Sequence, residues 1–174
     1  MQIRDLTKMA MCVALCCVTA YISFPLPFTP GMVTALTFAL SLTAYILPPK
    51  QTFTVIAIYI LLGAVGLPVL GGGQSISRLI GPTGGFYFAW LVAYPLLSLA
   101  KGAVPNLKRY FLANLLVAVP ITYAGGLISM ILLLDVNLWQ ALTMAVFPFI
   151  PGDVLKAFAA AVVGIKLQRV LGER

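Results

Sequence analysis

Apolar residues run in long blocks, and the few breaks between them divide the chain. From Met9 to Pro49 there is no charged residue, a run of 41. A helix needs about 20 apolar residues to cross a membrane, so this run predicts two helices. The break falls at Pro25, Pro27, Pro30 and Gly31, which a continuous helix does not accommodate. The first helix is expected over 5–23 and the second over 32–47, joined by a tight apolar turn and ended by Pro48, Pro49 and Lys50. The uncharged run from Gln51 to Ser77 splits in two: QTFTVIAIYILLGAVG is helical in character, and LPVLGGGQSIS is not. Irregular backbone at membrane depth is tolerated only where protein or a water-filled cavity covers it. After a GPTGG turn, further helices are expected over 85–100 and over 110–134. The segment 137–147 is apolar but short, and Pro148 and Pro151 interrupt it, so it reads as a re-entrant or interfacial connector into a last helix over 152–171. The pattern predicts an all-α integral membrane protein: six transmembrane helices in a single domain, 1–174, with an irregular Gly-rich outer loop. No internal repeat or soluble appendage stands out.

Composition agrees with the pattern. The chain is 61% hydrophobic and 9% charged, with a mean hydropathy of +1.06, whereas soluble domains are about 25% charged. Disordered chains are excluded for the same reason. With no histidine, the chain alone builds no His-ligated zinc site, no His-based triad and no imidazole relay. Cys12, Cys16 and Cys17 cluster in the first apolar block without further ligands nearby and read as small buried apolar residues, so no metal is expected. The basic start (Arg4, Lys8) before an apolar run resembles a signal peptide. Asp5 in the basic region and the lack of an A-x-A site favour a retained first membrane helix.

The excess of 11 Lys+Arg over 4 Asp+Glu would suggest nucleic acid in a soluble protein. In a membrane protein it marks cytoplasmic loops, and no nucleic-acid partner is expected. With the amino terminus inside, the inner segments hold Arg4, Lys8, Lys50, Lys101, Lys108, Arg109, Lys166, Arg169 and Arg174, which is 9 of the 11 basic residues. Only Arg78 and Lys156 remain outside. Both termini are therefore expected to be cytoplasmic.

Asp153 and Lys156 carry the strongest chemical signal. They sit in FPFIPGDVLKAFAAA, an otherwise apolar stretch, where insertion costs about 2.5–3.5 kcal/mol per charge at a helix centre. Three residues apart, they share a helix face. An ion pair with Asp153 capping the first turn accounts for Asp153 but poorly for Lys156, since a cation there opposes the helix dipole. A carboxylate and an ammonium on one face suit a ligand with both donors and acceptors. Arg78, in SISRLIGPTGGF, either snorkels to the outer interface or meets an anionic ligand. Asp135 reads as an interfacial helix end. The glycines match neither G-x-x-x-x-G-K-[ST] nor G-x-G-x-x-G, but they let backbone approach a ligand closely. Ala10 with Ala14, and Ala157 with Ala161, form A-x-x-x-A patterns that allow close helix approach or ordinary internal packing.

The run LLGAVGLPV, the Gly-rich stretch, GPTGGF and then FPFIPGDVLK resemble, in that order, the BioY family, the biotin-specific substrate-binding (S) components of energy-coupling factor (ECF) vitamin transporters. The resemblance extends over nearly the whole chain, including the early PLPFTP turn. It implies a six-helix S component in the cell membrane that binds biotin near its outer face and is not an enzyme. It also implies partners, a transmembrane coupling protein and two cytoplasmic ATPase subunits, and no cofactor. The substrate site is expected at Asp153, Lys156, Arg78, Gly81, Thr83 and Gly84, the GPTGG turn giving backbone contacts. Ala10 and Ala14 would form the strip that meets the coupling protein. Alternatives are an S component for thiamine or riboflavin and, in a different class, an integral-membrane enzyme. The latter lacks both a His base and clustered carboxylates for Mg²⁺.

Overall fold

The computed structural model describes residues 3–172, so Arg174, expected among the inner basic residues, and Glu173 lie outside the described residues. Helix α1 (Ile3–Tyr21) turns Met9, Cys12, Cys16, Thr19 and Ala20 inward. The segment after it is a β-hairpin, β1 (Ser23–Pro25) antiparallel to β2 (Met32–Thr34), with Phe24 opposite Val33. Residues 32–34, expected to begin the second helix, are therefore strand, and helix α2 (Leu36–Ile46) starts four residues later than expected. Proline explains the choice: Pro25 ends an edge strand, where it needs no N–H partner, and Pro27 and Pro30 hold the connecting loop out of helical geometry. The loop is anchored at its tip, where Thr29 Oγ1 donates to Met144 O at 2.5 Å and accepts from Gly31 N–H at 3.1 Å.

Helix α3 (Pro49–Ala64) opens with proline in its first turn, a position that needs no N–H donor. The following stretch is irregular, with a bridge between Leu70 and Gln74. Gly72 and Gly73 both have φ of 73° there, a left-handed conformation that favours glycine. The loop is tied down by Gly72 N–H to Ala20 O and by Tyr59 Oη to Val69 O, at 3.1 and 3.0 Å. One turn, α4 (Ser77–Ile80), leads into α5 (Gly84–Ala100).

The segment from Leu107 to Leu134 is one helix of 28 residues, composed of α6 (Leu107–Ala113), a π-helical turn over Asn114–Ala118 and α7 (Val119–Leu134). Pro120 supplies the cause of the π turn: without an N–H it cannot bond the carbonyl one turn back, and widening the helix re-registers the ladder. Among the described residues this helix alone is long and apolar enough by itself to cross a membrane. Helix α8 (Leu138–Ala145) begins with a capping box between Asn137 and Gln140. It meets α9 (Ile150–Gly172) at a 47° bend around Pro148.

The helices pack around α5, which lies against both α3 and α7, while α2 lies against α9. Close approach of α5 and α7 rests on two glycines. A Cβ at Gly85 would lie 2.0 Å from Gly125 O, and one at Gly125 would lie 2.4 Å from Gly85 O. Ala157 and Ala161 are buried on α9, so that alanine pattern is internal packing. Ala10 and Ala14 are exposed on α1.

Candidate functional site

The charges that the sequence left without a reason meet at one cavity. It lies between the hairpin, the GPTGG turn and the ends of α2, α5, α7 and α9, is partly open, and leaves about 80 Å³ that the centre of a water-sized sphere can occupy. Asp153 and Lys156 form its charged wall. Their side chains are 13% and 19% exposed, and Lys156 Nζ lies 2.6 Å from Asp153 Oδ1. The other carboxylate oxygen is also engaged: Tyr123 Oη on α7 donates to Asp153 Oδ2 at 2.6 Å. Lys156 Nζ donates again to Thr34 O at 3.1 Å, at the end of β2. An ammonium has three donors, so one is left for a ligand. Asp153 N–H bonds Phe149 O within the helix, and its side chain points across to α7 rather than back to cap the helix.

Arg78 also reaches the hairpin. Its guanidinium donates to Pro30 O at 3.0 Å and contacts Met32 Sδ at 2.8 Å. Arg78 and Lys156 thus both hold the hairpin, whose Gly31, Met32 and Thr34 line the cavity. The aromatic wall is Tyr87 and Trp90, packed edge to face with centroids 4.6 Å apart, together with Phe86 and Phe149. Tyr87 Oη accepts from Gly71 N–H at 3.1 Å, which brings the Gly-rich loop to the rim.

Four buried side-chain polar atoms among the described residues lack a hydrogen-bond partner: Thr37 Oγ1, Arg78 Nε, Trp90 Nε1 and Thr122 Oγ1. All four residues line this cavity. Leaving a buried donor or acceptor unmade costs about 1–3 kcal/mol each, so their convergence on one space marks it as built for a polar occupant. With the Asp153 carboxylate and the free Lys156 donor, the wall offers both acceptors and donors over an aromatic floor.

Of the residues expected from sequence, Asp153, Lys156, Arg78 and Thr83 line the cavity together. Gly81 and Gly84 do not; they lie behind its wall. A Cβ at Gly84 would stand 2.0 Å from Leu79 O, and one at Gly81 2.8 Å from Ser77 O. Their small size therefore serves the packing of the turn against α4. Asp135 is away from the cavity, in a left-handed conformation at the end of α7. Tyr123, Trp90, Thr37, Thr122 and Phe149 escaped the sequence reading, because aromatics and threonines in apolar helices carry no charge to flag them. A smaller cavity shares Asp153 and Lys156 with the first and is lined also by Ser41, Tyr94 and Asn114. There Asn114 Nδ2 donates to Ser41 Oγ and Tyr45 Oη at 2.8 and 3.2 Å.

Comparison with known proteins gives concordant results. The profile of the BioY family matches residues 1–173. The chain is 32% identical to biotin transporter BioY2 of Lactococcus lactis, over 98% of this chain and 93% of the relative. It is also 32% identical to biotin transporter BioY of Thermotoga maritima, over 98% and 99%. In fold it resembles the crystal structure of the S-component for biotin from an ECF-type ABC transporter. The TM-score is 0.87 at 24% identity, covering 96% of this chain and 92% of that one.

Proposed function

The chain belongs to the BioY family of membrane proteins, and from that premise we propose that it is the biotin-binding S component of an ECF-type uptake transporter. The observation that carries the assignment of the site is the convergence of the Asp153–Lys156–Tyr123 cluster and four unpartnered polar atoms on one aromatic-walled cavity. Biotin's ureido ring has two N–H donors and one carbonyl, an apolar bicycle and a carboxylate tail. Asp153 accepts from the ureido N–H groups, and the remaining Lys156 donor meets the ureido oxygen. Trp90 and Tyr87 pack on the bicycle, and Arg78 meets the carboxylate. Thr83 and the rim of the Gly-rich loop close the opening, and Gly81 and Gly84 contribute by keeping that turn compact.

The protein is a single transmembrane domain, 1–174, crossing the membrane six times with both termini in the cytoplasm. The Gly-rich loop and hairpin face outward, as the nine-to-two division of basic residues supports. The exposed Ala10–Ala14 strip on α1 docks a transmembrane coupling protein, which joins it to two cytoplasmic ATPases. The subunit binds and delivers biotin and does not transform it. Purified protein incubated with radiolabelled biotin tests this directly. Retention of label that is recovered chemically intact is expected, and either no retention or an altered product would sink the proposal.

A further inference from the structure

We propose that a groove at the start of the 28-residue helix seats an anionic membrane phospholipid, with its phosphate at Lys108 and Arg109 and an acyl chain along Leu112 and Leu116. The groove runs from the connector at Ala103 and Val104 along α6 into the π turn. Two rows of side chains at i, i+4 and i+8 form it: Lys108, Leu112, Leu116 and Arg109, Ala113, Val117. Each row starts with a cation and continues with apolar residues. Leu112 and Leu116 are 50% and 72% exposed, and Ala113 leaves a trough beside them. From Lys108 to Leu116 is about 12 Å along the axis at 1.5 Å per residue, enough for the upper part of an acyl chain.

The charge is as one-sided as the shape. No acidic residue lines the groove, and among the described residues the Lys108 side chain makes no hydrogen bond or ion pair. Arg109 is half committed, its Nε donating to Ala100 O at 2.9 Å with the guanidinium packed against Gly102. A basic mouth opening into an apolar trough on one groove complements an amphiphile with an anionic head. An acidic peptide would satisfy the mouth but not the trough, which descends along a helix long enough to cross the bilayer. Basic pockets at the cytoplasmic ends of membrane helices recognise such headgroups. The proposed topology enters only in assigning the lipid to the inner leaflet. The binding measurement below is made in micelles and stands or falls separately from biotin binding.

The purified protein is titrated with phosphatidylglycerol and, separately, phosphatidylcholine of the same acyl chains, and bound lipid is counted by native mass spectrometry. Phosphatidylglycerol is expected to bind preferentially. Lys108→Gln should weaken it about 5-fold, the contribution of one basic residue near an anionic surface. Leu116→Trp fills the trough with the charge unchanged and should weaken both lipids. Both positions are exposed, so unchanged unfolding temperatures are expected. Equal binding of the two lipids by the parent would overturn the proposal, as would a preference that survives both variants. Loss in Lys108→Gln alone, with free glycerophosphoglycerol competing as well as the whole lipid, would reduce the site to a surface anion contact and also overturn it. So would a parent without lipid preference whose capture by the coupling protein is weakened by Lys108→Gln.

Discussion

Asp153 is fully engaged before any ligand arrives, with Lys156 on one oxygen and Tyr123 on the other. Each carboxylate oxygen has a second lone-pair site, so the ureido N–H groups of the proposed ligand would join this cluster rather than replace it. Asp153→Asn keeps the shape but substitutes a donor for an acceptor. Losing a buried hydrogen bond to a charged group, about 1.5–3 kcal/mol, predicts roughly 10- to 150-fold weaker biotin binding by titration calorimetry. Lys156→Met should also weaken binding, by stripping Asp153 and Thr34 O of their shared donor. Tyr123→Phe removes only the hydroxyl that aims Asp153 and should cost less than Asp153→Asn. If all three variants fold and bind like the parent, the cluster is structural and the ligand sits elsewhere. At this scale the charged half of the candidate site was legible, because a carboxylate and an ammonium in an apolar helix have no ordinary reason to be there. Trp90, Thr37 and Thr122 were not legible: a threonine normally bonds the carbonyl one turn back, as Thr43 does at 2.9 Å, and only the fold reveals which hydroxyls are left open.

Among the elements, the proline-rich turn illustrates where pattern reading stops. Pro25, Pro27 and Pro30 place the break between the first two helices, but the paired strands over Ser23–Pro25 and Met32–Thr34 are also held by Arg78 on Pro30 O and Lys156 on Thr34 O. Those contacts span 48 and 122 residues, beyond any local pattern. The π turn was equally hidden, although Pro120 is its signal in retrospect. The α5–α7 contact gives a test that involves no charge. Gly85→Ala would drive a methyl into Gly125 O and force the helices apart. Overpacking of this kind costs about 1–3 kcal/mol, seen as a lower unfolding temperature than for Ala89→Gly on the same helix. An unchanged temperature would mean that the helices do not approach through these glycines. On α1, the exposed Ala10 and Ala14 lie opposite the buried Cys12–Cys16 face. Replacing both alanines with Trp should abolish assembly with the coupling protein in a pull-down while biotin binding by the isolated subunit survives. Equal loss of both would make the strip internal packing.

For the whole molecule, composition and the apolar pattern made a membrane protein built mainly of helices plain, though not the β-hairpin. Helix α2 is nevertheless shorter than its apolar block suggests, with only 11 residues, because strand β2 of the hairpin takes up the start of that block beside the cavity. Orientation is tested with single cysteines in a background lacking Cys12, Cys16 and Cys17. An impermeant reagent added outside intact cells should label Ser75→Cys but not Lys108→Cys, and the reverse pattern would invert the proposed topology. The proposed function requires that this cavity recognise the ureido group of biotin. The decisive measurement is isothermal titration of the detergent-solubilised protein with biotin, thiamine and riboflavin. Saturable one-to-one binding of biotin is predicted, with no measurable heat from the other two vitamins and with the biotin signal weakened by Asp153→Asn. Saturation by thiamine or riboflavin instead, or biotin binding indifferent to Asp153→Asn, would contradict it.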